Sequence, residues 1–211
     1  MILIDAIGPA GSGKSTVLGM IEDERILKYD RLSLSKIRFA ANLITTLAFI
    51  TDLPRVLIAM LLSGSKRPFY RTFGMLTFLY QLENLKDDEI VLVEFSPFST
   101  LRRNSYKNNS AYGRKIERML RKRYDYAIIY FYCSPENQLK RIRKRESMIG
   151  KRILEDKDPL KRLNESQKRS KSIIEGIKDE LFFYGEVKTE GPLKHQANEM
   201  RKHIDEIIQK R

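Results

Sequence analysis

The chain contains the stretch Gly8-Pro9-Ala10-Gly11-Ser12-Gly13-Lys14-Ser15-Thr16, which is the strongest indication of its fold. The stretch fits the pattern G-x-x-x-x-G-K-[ST] without a mismatch, and it follows the apolar segment Ile2–Ile7 and precedes a segment of helical character. Glycines let such a loop curl so that successive backbone N–H groups point at phosphate oxygens, and the start of the following helix adds its dipole. The sequence therefore predicts a phosphate-binding loop that takes a nucleoside triphosphate.

The side chains at the end of this loop have separate predicted tasks. Lys14 is expected to reach the β- and γ-phosphates, Ser15 to coordinate Mg²⁺, and Thr16 to donate to the α-phosphate. The backbone of the other loop residues is expected to line the phosphates: Gly8, Pro9, Ala10, Gly11, Ser12 and Gly13. After the loop the sequence has no D-x-x-G placed as a switch and no N-K-x-D, so a GTPase is not expected.

The rest of the chain alternates between predicted strands and predicted helices. The strands are Ile2–Ile7, a weaker Arg25–Asp30, Glu89–Glu94, Tyr126–Tyr132 and Leu181–Val187. The helices are Ser15–Glu24, Ser35–Leu62 with a division at Asp52–Pro54, Pro68–Leu85, Ser110–Arg123, one that begins at Ser134–Pro135, and a terminal one after Gly191–Pro192. This alternation predicts a parallel sheet with helices on both sides.

Composition excludes several classes of protein. The chain has 211 residues, a mass of 24.8 kDa and a net charge of +13, which suits one domain over residues 1–211. One cysteine and two histidines are too few for a disulfide framework or a Cys/His zinc site. The longest uncharged apolar stretch, Phe39–Thr51, is shorter than the roughly 20 residues of a membrane span, so we expect a cytoplasmic protein without a membrane partner.

Positive charge is concentrated in two segments, Arg102–Arg123 and Lys140–Lys171. Such segments attract polyanions, and charge alone leaves nucleotides, nucleic acid and anionic surfaces open as partners. Within the second segment, Arg141 and Arg145 are four residues apart and share one helix face, where two guanidinium groups stack on a planar base or bind phosphate. Arg152 follows after Gly150 and offers the same chemistry.

Glu94 ends a predicted hydrophobic strand, and parallel sheets deliver the residues at strand ends to the ligand crevice. A carboxylate at that place holds Mg²⁺ or accepts a proton from the attacking group. Phe95 and Phe98 follow in a loop, and they either stack on a base or close the core.

GPAGSGKST, the strand that ends in Glu94, and YAIIYFYCSPENQLKRIRKR from Tyr126 to Arg145 together resemble the P-loop nucleotide kinases. The thymidylate kinase-like branch, with its deoxynucleoside kinase cousins, is the most similar. The resemblance implies a three-layer α/β P-loop NTPase fold with a five-stranded parallel sheet. It also implies a helical acceptor-side region at about residues 35–85 and an arginine-bearing lid at about residues 146–160.

The resemblance implies transfer of the γ-phosphoryl group of ATP, with Mg²⁺, to a nucleoside monophosphate, in the first place dTMP. Alternatives are a deoxynucleoside kinase or another small-molecule kinase, and a non-catalytic ATP-binding protein with nucleic-acid affinity. The catalytic residues would be Lys14, Glu94 and Arg152, Mg²⁺ would lie on Ser15 and Glu94, and Arg141 and Arg145 would flank the adenine and lid phosphates. By the same resemblance the acceptor would be bound by Asp30, Arg71, Phe95, Arg102 and Arg103. A homodimer is possible, and no stable nucleic-acid partner is expected.

The sequence departs from the family pattern on the acceptor side. Where the family has aspartate-arginine after the third strand, this chain has Glu94-Phe95, so Arg102 or Arg103 would have to supply the missing arginine. The family pattern has an acidic residue just before the arginine that corresponds to Arg71, whereas this chain has Tyr70 there. These departures leave the identity of the acceptor open.

Overall fold

The structure, a computed structural model, describes residues 1–29, 82, 85–94, 121–144 and 153–211. These residues form a five-stranded parallel sheet in the order β2-β3-β1-β4-β5. The strands are β1 (Ile2–Ile7), β2 (Ile26–Tyr29), β3 (Ile90–Val93), β4 (Asp125–Tyr132) and β5 (Phe183–Lys188). The predicted α/β class and parallel sheet are confirmed.

Strand β1 lies at the centre of the sheet and positions the loop that follows it. All six of its residues are buried, as expected for a continuous apolar strand in a sheet covered on both faces. Its neighbours are β3 and β4, with Asp5 opposite Val93 on one side and Ile128 on the other. Because β2 lies beyond β3 and β5 lies beyond β4, the carboxyl end of β1 is the switch point of the topology, where open α/β sheets bind ligands.

Helices cover both faces of this sheet. They are α1 (Lys14–Leu18), α2 (Pro135–Arg143), α3 (Pro159–Glu175) and α4 (Leu193–Lys210), with a short 3₁₀ helix at Lys178–Glu180. Alternate β1 residues such as Ile2 and Ile4 pack with α1 and α4, whereas Leu3 and Ile7 pack on the other face with Ile174 of α3. The described residues therefore have three layers.

Two helices differ from the prediction. Helix α1 ends at Leu18 instead of Glu24, because the chain tightens after it through the bonds from Met20 N–H to the Val17 carbonyl and from Ile21 N–H to the Leu18 carbonyl. Helix α3 was not predicted, although Asp158 caps its first turn by accepting a hydrogen bond from Lys161 N–H and Pro159 is its first residue.

Several predicted features fall outside the described residues. These are the helical region Ser35–Leu62, most of Pro68–Leu85 and Ser110–Arg123, and residues 146–152 of the lid predicted at about 146–160. Within the described residues, no helix is both long enough and apolar enough to cross a membrane.

Candidate phosphate-binding site

The loop between β1 and α1 has the backbone conformation that its glycines predict. Gly11 and Gly13 have φ angles of 79° and 85°, in the left-handed region that side chains rarely adopt. Gly13 caps α1, and its carbonyl accepts the first bonds of the helix from the N–H groups of Thr16 and Val17. Across the loop, Ser12 N–H donates to the Pro9 carbonyl at 3.1 Å. The loop is thus a tight curl that ends in a helix.

Gly8 is required for a different reason, which is close packing against β4. A Cβ atom at Gly8 would lie 2.6 Å from the Phe131 carbonyl oxygen and 2.7 Å from Ser12 Oγ. We expect Gly8→Ala to lower the free energy of unfolding by about 1–3 kcal/mol, because the contact is with backbone that cannot move aside cheaply. Urea unfolding at neutral pH measures this change.

Gly176→Ala is the matched control for that prediction. Gly176 follows α3 with a φ of −68°, and a Cβ there would meet nothing closer than 3.6 Å. This control variant is expected to be neutral or more stable by about 0.4–1 kcal/mol. Equal stability of the two alanine variants would contradict the packing role of Gly8.

Lys14, Ser15 and Glu94 meet at the mouth of the loop. Lys14 Nζ donates to the Glu94 carbonyl oxygen at 2.9 Å and lies 3.4 Å from Glu94 Oε1, which also accepts a short hydrogen bond from Ser15 Oγ. Burial lowers the pKa of Lys14 below its usual 10.5, and the attraction of Glu94 offsets only part of this effect. The predicted meeting of a strand-end acid with the loop lysine and serine is therefore present, although Glu94 lies 80 positions from Lys14.

Two side chains hold the outer side of the loop by its carbonyl groups. Gln138 Nε2 donates a short hydrogen bond to the Ala10 carbonyl, and Thr189 Oγ1 donates one to the Ser12 carbonyl. Both side chains belong to fully buried residues. Since the C=O and N–H of a trans peptide point in opposite directions, these bonds turn the N–H groups of Gly11 and Gly13 to the other side of the loop.

Arg141 lies on this outer side as well. Its Nη1 donates to Thr189 Oγ1 at 3.1 Å and to the Gly11 carbonyl at 3.5 Å, and its Nη2 donates to the Thr189 carbonyl. A Cβ on Gly13 would come within 2.7 Å of that Nη1. The guanidinium group therefore lies next to the loop, between α2 and the end of β5; its contact with adenine stays a prediction.

Sequence reasoning did not single out Gln138, Gln167, Thr189 or Asp5. Asp5 is fully buried in β1, accepts a 2.7 Å hydrogen bond from Tyr126 Oη, and attracts the Lys14 ammonium group. Among these four residues, only Asp5 could have been noticed in the sequence, because it is a carboxylate in the middle of an apolar strand. Glutamine and threonine are common on helices and strand ends, so the other three carry no such signal.

Glu190 fixes the start of α2 beside the loop. Its Oε1 accepts the Ser134 backbone N–H at 2.7 Å and Asn137 Nδ2 at 3.2 Å, and its Oε2 lies 3.0 Å from Lys188 Nζ. These partners, the Ser134 N–H first and the Lys188 ammonium group next, lower the pKa of Glu190 from 4.5 to about 2. The carboxylate form therefore stabilises the folded protein.

A pH dependence of stability follows from this shift. The contribution of Glu190 is complete above its unfolded pKa of 4.5 and is lost as the pH falls toward about 2. We expect Glu190→Gln to be less stable than the wild type at pH 7, and the difference to shrink between pH 4.5 and pH 2.5. Urea unfolding along this pH range measures it, with the exposed α3 residue Glu165 changed to Gln as the control for charge. A difference that is constant with pH would contradict the assignment.

The remaining predicted site residues lie outside the described residues. They are Asp30, Arg71, Phe95, Arg102, Arg103, Arg145 and Arg152. Of the predicted set, the structure thus brings together the phosphate-binding loop, Glu94 and Arg141.

Comparison with known proteins adds one finding on the fold. No protein-family model matches this sequence, and no curated protein matches it. Among solved structures, the chain is similar to deoxyadenosine kinase from M. mycoides with bound dATP, over 97% of this chain and 100% of that chain, with a TM-score of 0.50 and 17% sequence identity. At this identity the likeness concerns the fold alone. The chain therefore has the α/β fold of that protein, with a five-stranded parallel sheet.

Proposed function

We propose that this protein is an ATP-dependent phosphotransferase that moves the γ-phosphoryl group to a nucleoside or a nucleoside monophosphate. The observation that carries the proposal is the meeting of Lys14, Ser15 and Glu94 at the mouth of a glycine loop. A phosphate-binding loop without this acid would account for the binding of a triphosphate but not for a reaction. The acid beside it supplies a group that acts on the metal or on the attacking oxygen.

The donor nucleotide is held by the loop. Backbone N–H groups on its inner side, those of Gly11 and Gly13 among them, bind phosphate oxygens, and Lys14 lies against the β- and γ-phosphates. Thr16 donates to the α-phosphate. Arg141 lies beside the loop, where a guanidinium group offers a surface for the adenine ring. By the sequence resemblance, Arg145 would flank the adenine and lid phosphates together with Arg141.

The chemistry of Ser15 and Glu94 fits Mg²⁺. A hydroxyl and a carboxylate oxygen already lie within hydrogen-bond distance of each other, and hard oxygen ligands are the ones Mg²⁺ takes, with phosphate oxygens and water for the rest. When bound, Mg²⁺ neutralises charge that develops on the phosphate oxygens. Within the described residues there is no group of three acidic, histidine or cysteine side chains that would form another metal centre.

The likeness to a deoxyadenosine kinase supports a nucleoside as the acceptor, whereas the sequence resemblance favours dTMP. Glu94 supports the nucleoside, because a sugar hydroxyl must lose its proton during attack, while a phosphate monoester is largely ionised at pH 7 with a second pKa near 6. The acceptor would be bound by Asp30, Arg71, Phe95, Arg102 and Arg103, and Arg152 would lie on the transferring group.

The chemical step follows from these positions. The acceptor oxygen forms a bond to the γ-phosphorus, the bond from that phosphorus to the β–γ bridging oxygen breaks, and ADP leaves with the electron pair. With a hydroxyl acceptor, the proton passes to the Glu94 carboxylate. Lys14 stabilises the charge on the transferring phosphoryl group, and positioning and charge neutralisation supply most of the acceleration.

A coupled ADP-release screen tests the proposal. Each deoxynucleoside and each of dTMP, dUMP, CMP, UMP, AMP and GMP is supplied with ATP and Mg²⁺, and the Lys14→Met variant serves as the blank. We expect one acceptor class to give ADP release far above the blank. ATP binding without any acceptor-dependent release would favour a non-catalytic ATP-binding protein, and failure to bind ATP would contradict the proposal.

A further inference from the structure

A chain of two glutamines connects helix α3 to the phosphate-binding loop. Gln167 of α3 donates through Nε2 to the Cys133 carbonyl at 2.7 Å and to Gln138 Oε1 at 2.9 Å. Gln138 of α2 in turn donates through Nε2 to the Ala10 carbonyl of the loop. Gln138 is fully buried and Gln167 is half-buried.

The direction of both amide groups is fixed by their partners. The Ala10 carbonyl only accepts hydrogen bonds, so Gln138 must present its NH₂ group to the loop and its oxygen to Gln167. Gln167 must then present its NH₂ group both to that oxygen and to the Cys133 carbonyl. A donor at Gln167 therefore holds Gln138 in the one orientation that binds the loop.

The packing around the two glutamines transmits this orientation. Helix α2 is wedged between the loop and α3: Ile142 packs with Leu163 of α3 on one side, and a Cβ on Gly11 would meet Ile142 Cγ1 at 2.9 Å on the other. Loss of the bond to Gln138 would allow the peptide between Ala10 and Gly11 to rotate, and the Gly11 N–H would then leave the inner side of the loop.

We propose that Gln138 and Gln167 are positioning residues for the donor nucleotide: Gln167 orients Gln138, and Gln138 turns the peptide between Ala10 and Gly11 so that its N–H faces the phosphates. This inference rests on the proposed function for the identity of the ligand, ATP. It assigns a role in ATP binding to Gln167 of α3, which is connected to the loop through Gln138.

The test compares four variants with the wild type. They are Gln138→Met, Gln167→Met, the double variant, and Ser170→Ala. Ser170 is the matched control, since its buried hydroxyl also belongs to α3 but donates at 2.8 Å to the Ser166 carbonyl within the helix. The dissociation constant of ATP with Mg²⁺ is measured by calorimetry without an acceptor, and thermal unfolding is followed in parallel.

We expect Gln138→Met to weaken ATP binding about tenfold and Gln167→Met about threefold to tenfold, the range of one neutral hydrogen bond. If Gln167 acts through Gln138, the double variant binds ATP as Gln138→Met does. Ser170→Ala keeps the wild-type affinity whatever it loses in stability. Unchanged affinity in Gln167→Met, or losses that add in the double variant, would overturn the proposal. Gln167 is half-buried, so its variant decides the question even if Gln138→Met does not fold.

Hydrogen exchange separates this inference from the proposed function. In the nucleotide-free protein, the reporter is the Ser12 amide, which donates to the Pro9 carbonyl at 3.1 Å across the peptide between Ala10 and Gly11. This amide should exchange faster in Gln167→Met than in the wild type or in Ser170→Ala. If the wild type binds no ATP, the proposed function fails, and the Ser12 exchange rates alone decide whether the two glutamines hold the loop. Equal Ser12 exchange in all three proteins would overturn the glutamine proposal, whether or not ATP binds.

Discussion

Replacing Lys14 with methionine is expected to lower kcat by about 10³-fold or more, to the level of the assay blank. Methionine keeps the length and the apolar stem of the side chain but removes the ammonium group. Lys14 Nζ lies between the Glu94 carbonyl and carboxylate oxygens at the mouth of the loop. Without this charge, the transferring phosphoryl group loses a fixed positive partner. Acceptor-dependent ADP release measures the loss.

The same variant should keep its stability, which separates a chemical loss from a folding defect. Burial lowers the pKa of Lys14, so its charged form costs folding free energy at pH 7. We therefore expect the thermal midpoint of Lys14→Met to equal or exceed that of the wild type. Lys28→Met is the control, since this exposed β2 lysine donates to the Leu18 carbonyl at 3.1 Å and should retain full activity. Substantial turnover in Lys14→Met would exclude Lys14 from the reaction.

The parts of the molecule that depend on contiguous residues could be predicted from the sequence. The loop was predictable because its glycines, lysine and serine stand in one nine-residue stretch, and β1 and β4 because their apolar runs are unbroken. The end of α1 could not be predicted in this way, because Val17, Leu18 and Ile21 keep helical spacing and are all buried. Only the backbone turn after Leu18 ends the helix there.

The parts that depend on distant residues could be predicted only in outline. Glu94 was expected at the loop because parallel strands end at the same edge, which is a rule of topology. No comparable rule brings Gln138 to Ala10, 128 positions away, or Gln167 to Gln138. The spacing of Arg141 and Arg145 predicted a shared helix face. It carried no information on Thr189, the residue that Arg141 contacts.

Replacing Glu94 with glutamine is expected to show which class of acceptor the proposed phosphotransferase uses. Glutamine has the same shape and keeps an oxygen that accepts from Ser15 Oγ, but it has no charge and takes up no proton. With a hydroxyl acceptor, the loss of general base catalysis lowers kcat by about 10²- to 10⁴-fold. A phosphate acceptor is already ionised and needs no general base. The variant then suffers only from weaker binding of Mg²⁺, and we expect kcat to fall by about tenfold or less.

Two further variants make this measurement decisive. Glu94→Asp restores a carboxylate on a shorter side chain, so it should recover part of kcat if Glu94 accepts a proton. Glu89→Gln makes the same change of charge just before β3, at the opposite end of the strand from Glu94, where Glu89 accepts the Lys86 backbone N–H at 3.1 Å, and it should leave kcat unchanged. Each variant is assayed with the best acceptor from the screen, at saturating ATP and at two concentrations of Mg²⁺. If Glu94→Gln regains wild-type kcat when Mg²⁺ is raised, Glu94 serves the metal alone, and the argument for a hydroxyl acceptor fails.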